Sequence, residues 1–128
     1  MKINLNQSIL ESGQSLGDVQ NIFNTFTLSV QEDYSQVILH GKMCLDDIGQ
    51  NVVVHIYFNK ETDMLENVVI HPFPMEYKKM QSYLEEQFGL PNCMAEQNKN
   101  EWAIDKEKII HYIADRFGEE EIIIFNFV

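Results

Sequence analysis

The chain has 128 residues, 45% of them apolar, and a net charge of −11 from 9 Lys and Arg against 20 Asp and Glu. That length favours one domain, 1–128, able to bury a core without disulfide staples. The few cations form no cluster, which argues against nucleic acid or an anionic membrane surface as partner, and no run approaches the ~18 apolar residues of a membrane span.

The charge instead favours a cation or a basic protein, steered in by the summed field, beside the plainer reading that acidity maintains solubility. Cys44 and Cys93 do not make a disulfide framework, and Met1-Lys2-Ile3-Asn4-Leu5 opens without an apolar leader. The expected compartment is therefore the cytoplasm, with reduced thiols.

Residues 1–17 carry no decisive pattern. Asp18 can cap a short helix with Val19, Ile22, Phe23 and Phe26 on one face, although residues 25–30 alternate as a strand does. The middle of the chain is plainer. In residues 37–45, Val37, Leu39, Met43 and Leu45 alternate with Ile38, His40, Lys42 and Cys44. In residues 52–58, Val52, Val54, Ile56 and Phe58 alternate with Val53, His55 and Tyr57. Both are period-2 strands joined by the turn Asp46-Asp47-Ile48-Gly49. Pairing Leu45 with Gln50 sets Leu39 against Ile56 and Val37 against Phe58. One face then holds both apolar sets, a match that a one-residue slip would destroy.

A third strand follows at 65–71, where Val68-Val69-Ile70 does not alternate and suggests cover on both faces. Residues 74–88 read as a helix with Pro74 in its first turn and Tyr77, Met80, Leu84 and Phe88 as one apolar stripe. Gly89 and Pro91 end it. A polar loop at 92–100 leads to strands at 101–105, 108–114 and 121–128. The expected fold is α+β: a single antiparallel sheet of about six strands in the order meander, helix, meander. One main helix packs on one face, with a short N-terminal helix as an addition.

No nucleotide-binding, metalloprotease, hydrolase, calcium-loop or CxxC motif is present, so the sequence names no cofactor and no catalytic residue and points away from an enzyme. The hairpin register places His40 directly opposite His55, with Cβ atoms about 4.5–5.5 Å apart. Two imidazoles so placed are candidates for a metal, with a third ligand still needed from His71, Asp or Glu, or for a pH-sensitive spot. The plainer reading is two half-exposed histidines pairing on an outer sheet face. Cys44 shares that face but stands roughly 13 Å from His40 at ~3.3 Å per residue, too far for a thiolate–imidazole pair. Cys93 reads as a loop thiol.

The acidic pairs Asp46-Asp47, Glu61 with Asp63, Glu85-Glu86 and Glu119-Glu120-Glu121 read as solvated turns and helix surface. A cation-facing patch is expected at Glu119, Glu120 and Glu121 with Asp115. Trp102 alternates with Ile104 and reads as core. Ile38, His40, Val53, His55 and Tyr57 form a face too apolar for plain exposure. It is expected to be covered by the N-terminal segment or a second subunit, or else to be a contact surface.

The helix end Phe88-Gly89-Leu90-Pro91, the polar loop, Trp102 on a short strand, and Glu119-Glu120-Glu121-Ile122-Ile123-Ile124 in the last hairpin make a pattern spanning residues 36–128. It resembles small acidic bacterial α+β proteins that include polymorphic-toxin immunity proteins and, more loosely, β-lactamase-inhibitor-protein-like domains. The resemblance implies a non-enzymatic protein that occludes a basic partner. On that basis the partner-binding candidates are Asp115, Glu119, Glu120 and Glu121, with His55 and Tyr57 as a second patch. A small-ligand or metal-binding domain using His40 and His55, and a homodimeric structural module, are the alternatives.

Overall fold

The computed structural model describes residues 1–24, 28–96, 99–114 and 120–128, with the side chains of 93–96 and 114 outside the description. The elements run β1 (Lys2–Leu5), β2 (Ser8–Glu11), α1 (Leu16–Ile22), β3 (Ser29–Glu32), β4 (Gln36–Leu45), β5 (Gln50–Asn59), β6 (Leu65–Pro72), α2 (Tyr77–Phe88), β7 (Cys93–Glu96), β8 (Lys99–Ile104), β9 (Glu107–Ala114) and β10 (Glu120–Asn126). All strands join one antiparallel sheet, curled as a half-barrel, in the order β2-β1-β4-β5-β6-β10-β9-β8-β7. β3 lies beside β1 on the remaining edge of β4.

The sheet has ten strands where the sequence suggested about six. The additions β1, β2, β3 and β7 are four residues each, too short for alternation to stand out. β1 and β2 form a hairpin whose two turn residues, Asn6 and Gln7, take φ of 47° and 65°, as a tight two-residue connection requires. Asn6 is held by Cys44 through both its backbone N–H (3.0 Å) and its side-chain oxygen (2.8 Å). The free edge of β2 is covered by Gln14, which accepts from the Glu11 N–H and donates to the Ile9 carbonyl, both at 3.0 Å.

The long hairpin β4–β5 has the register expected from its alternation: Leu45 opposite Gln50, Leu39 opposite Ile56, Val37 opposite Phe58. Gly49 closes its turn with φ 60° and ψ 33°, a conformation that costs a glycine little. β6 alternates after all: Val68 and Ile70 are buried and Val69 is half-exposed. Both helices occupy one side of the sheet, so the expected double cover is absent there.

Helix α1 is capped by Ser15, not Asp18. Ser15 Oγ accepts the Asp18 N–H and Asp18 returns the bond to the Ser15 N–H, a complete capping box. Its Val19, with Phe23 just beyond its end, enters the core. Helix α2 begins at Tyr77 rather than Pro74, with Glu76 as its N-cap. Met80, Tyr83 and Leu84 pack into one cluster with Val54, Ile56, Ile70, Ile109, Ile123 and Phe125. Trp102 is 1% exposed and its indole N–H donates to the Gly89 carbonyl at 2.8 Å, tying β8 to the end of α2. Among the described residues no helix is long and apolar enough to cross a membrane.

Candidate functional site

Strand parity divides the sheet residues into a buried inner set beneath the helices and a half-exposed outer set. His40 and His55 are outer residues in direct register, as the alternation predicts, with ring centres 5.5 Å apart and planes within 17°. β6 adds what the hairpin alone lacks. His71 pairs with Val53, one diagonal step from His55, and its ring stands edge-on at 5.5 Å. Next to it, Glu120 places Oε1 3.0 Å from His71 Nδ1. That nitrogen is buried and makes no well-aligned hydrogen bond, so the contact is an ion-pair distance rather than a directed bond. Desolvation, and after it the neighbouring His71 and His40, hold the His55 imidazole below the usual histidine range.

Around this row the outer face is apolar. Val53, Tyr57, Val69, Ile110, Tyr112, Ile122 and Ile124 are all half-exposed, and Ile38 is buried among them. A depression of about 280 Å³ lies between Lys99, Ile110, Tyr112 and Ile124. Beside it, Glu101 is 3.2 Å from both Lys99 and Lys108, which hold its carboxyl below the usual range. Both helices lie on the other face, so the N-terminal segment does not supply the cover expected for this one. It extends the sheet sideways as β1 and β2 instead. A larger hollow of about 490 Å³, lined by Tyr34, Ser35, Asn59, Lys60 and Glu61, includes none of the histidines.

A second constellation lies inside. His111 and Glu121 are 0% and 1% exposed. Glu121 Oε2 is 2.5 Å from His111 Nε2, and Glu121 Oε1 accepts the Glu76 N–H at 2.9 Å. Gln81 Oε1 is 2.7 Å from His111 Nδ1, while the Gln81 amide nitrogen donates to Glu85. With the Gln81 oxygen so oriented, Nδ1 carries a hydrogen. Tyr77 stacks on His111 at 4.2 Å and takes a hydrogen bond from Asn100. Burial raises its phenol above the usual range. The composition is that of an acid–base pair, but solvent reaches neither member, and the network ties α2 and its N-cap to β8, β9 and β10.

Of the partner-binding candidates, Glu120, His55 and Tyr57 share the outer face, which joins two patches that the sequence kept separate. Glu121 is corrected: it is buried, because β10 begins at Glu120 and gives Glu121 the inward parity of Ile123 and Phe125. Asp115 and Glu119 lie outside the described residues. Sequence reasoning missed His111, Gln81 and Tyr77 as a group. The signal was present in Ile109-x-His111, where the histidine shares parity with a core residue. Among the described residues no three His, Cys, Asp or Glu side chains are set to hold a metal ion. Cys44 is a half-buried free thiol on the outer parity of β4, and only the backbone of Cys93 is described.

No family model, curated protein or solved structure matches the chain.

Proposed function

We propose that the chain is a non-enzymatic binding domain that docks a basic protein on the outer face of its sheet and occludes it, as an immunity or inhibitor protein does. One observation carries the reading: a half-exposed field of Val, Ile, Tyr and His spans five strands, β4, β5, β6, β10 and β9, on the side away from both helices. Interface centres favour aromatic and apolar groups over charges, and Tyr57 and Tyr112 are the anchor type that alanine scans single out. The net charge of −11 steers a basic partner, while contact falls on the less charged face. Glu120 is the carboxylate of this face best placed to meet it, being 62% exposed beside His71.

The test is affinity capture with the tagged chain at low and high salt, repeated with Val69→Asp. A single stoichiometric basic protein, released by salt and lost with Val69→Asp while the fold is retained, supports the reading. A partner set unchanged by Val69→Asp removes the outer face from it. Light scattering of the chain alone separates use of the same face for a homodimer.

A further inference from the structure

We propose that the hollow between the β3–β4 and β5–β6 turns binds a neutral saccharide, stacked on Tyr34 and hydrogen-bonded by Asn59, Lys60 and Glu61. The hollow is about 490 Å³ and is lined by those four residues and Ser35. That size lies within the roughly 300–1,000 Å³ of small-molecule sites. The hollow shares no residue with the outer-face field, so this site stands apart from the docking reading above.

Two turns build it, and each is fixed by one of its own side chains. In the first, Asp33 Oδ1 accepts the Ser35 and Gln36 N–H groups at 2.9 and 2.7 Å. In the second, Asn59 Oδ1 accepts the Glu61 and Thr62 N–H groups at 2.9 and 3.0 Å. Lys60 joins the two. Its backbone N–H donates to the Ser35 carbonyl at 2.9 Å. Its ammonium donates to the Asp33 carbonyl at 3.3 Å and lies 3.5 Å from Glu32 Oε2. The walls are therefore fixed before a ligand arrives, which lowers the ordering cost of binding.

The chemistry of the walls selects the ligand class. Tyr34 is 100% exposed, so both faces of its ring are open to a ligand. It is the one aromatic or aliphatic residue among the described lining, too little apolar surface to hold a hydrophobic molecule. An anion is opposed by Glu32, Asp33 and Glu61 against Lys60 alone, whose ammonium already faces Glu32. A cation meets that same ammonium inside the hollow. A neutral ring carrying several hydroxyls meets neither obstacle. Each hydroxyl both donates and accepts. The Glu61 carboxylate accepts, the Lys60 ammonium donates, and the Asn59 oxygen, held by its turn, leaves the amide nitrogen to donate. The C–H face of a pyranose is slightly positive and suits the negative face of the Tyr34 ring.

The experiment is an NMR titration of the full chain, observing backbone amides, with glucose, galactose, N-acetylglucosamine, cellobiose, lactose and chitobiose. Glucuronate, agmatine and adenosine serve as anionic, cationic and planar-base probes, and Tyr34→Ala and Tyr34→Phe as variants. At least one neutral sugar is expected to bind with a Kd on the order of 1 mM. It should shift the amides of residues 33–36 and 59–62 and leave that of Val69 in place. Affinity should fall about fivefold or more in Tyr34→Ala and change by less than about twofold in Tyr34→Phe, which keeps the stacking ring. Because Tyr34 is fully exposed, neither variant disturbs the core, and the amide spectrum verifies the fold. Any of four results overturns the site: no neutral sugar shifting these amides at concentrations on the order of 10 mM; shifts confined to other residues; an affinity indifferent to Tyr34→Ala or lost equally in Tyr34→Phe; or glucuronate, agmatine or adenosine binding more tightly than every neutral sugar.

Discussion

Glu120 and Glu121 are consecutive in β10 and each meets a histidine on an opposite face of the sheet. Glu120 Oε1 lies 3.0 Å from His71 outside, and Glu121 Oε2 lies 2.5 Å from His111 inside. Two chemically identical side chains thus sit in media of very different polarity. Glu121→Ala is expected to cost about 3–5 kcal/mol, because it strands a buried histidine and the Glu76 N–H. Glu120→Ala is expected to cost less than about 1 kcal/mol, because water screens an exposed pair. Urea denaturation of both variants measures the contrast, and equal losses would contradict the division of faces.

The pH dependence of stability follows from His55. Its pKa is lowered in the fold, chiefly by desolvation. The unfolded chain therefore takes up a proton at His55 before the folded one does. Stability is full above the unfolded histidine value of about 6.5 and falls as pH drops through the folded value. His55→Gln should lose less stability than the unmodified chain between about pH 8 and pH 5. Superimposable melting-temperature profiles for the two proteins would remove His55 from the acid response.

Val53 and Val54 test the two faces within one dipeptide. Val54 is 0% exposed in the core, and Val53 is half-exposed outside. Val54→Asp buries an unpaired carboxylate and should leave no cooperative unfolding transition. Val53→Asp should fold with a loss of about 1 kcal/mol or less. Circular dichroism melts compare them directly, and an unfolded Val53→Asp would mean that the outer face is covered.

Tyr83 should titrate late. Its hydroxyl donates to Asp47 Oδ2 at 2.9 Å, and burial, with that bond, pushes its ionisation well above the usual tyrosine range. The fold thus keeps Tyr83 neutral where the unfolded chain would ionise it, so its contribution to stability is present below about pH 10 and is lost as pH rises further. Ultraviolet titration of the five tyrosines should show one fewer late phase in Tyr83→Phe. That variant should also be weaker by about 1 kcal/mol near neutral pH. An unchanged titration curve would place the late phase elsewhere.

How much of this was legible varies by element. The β4–β5 register could be read residue by residue, because ten-residue strands with one buried face have a single pairing that keeps Leu39 and Ile56 together. That register carried the His40–His55 pair with it. His71 could be named as a third candidate but not placed beside them, since its position depends on the β5–β6 register, which slips at Tyr57/Phe58. Glu121 escaped because Ile122, Ile123 and Ile124 are apolar on both parities, so the strand does not declare which face is inside. The N-terminal hairpin escaped for a different reason: its turn is Asn6-Gln7, and the second residue is not the glycine that marks such turns.

Strand β10 hydrogen-bonds to β6 on one side and to β9 on the other, while residues 73–119 intervene between β6 and β10 in the chain. The order of assembly follows from this. The β4–β6 ladder forms from contacts close in sequence, and so does the β8–β9 ladder, but neither reaches the other without the final strand. Joining them means closing a long loop, which slows folding. On the ribosome, residues 120–126 emerge after everything they connect. Until then β6 and β9 each present an unpaired edge, the kind of surface on which nascent chains aggregate.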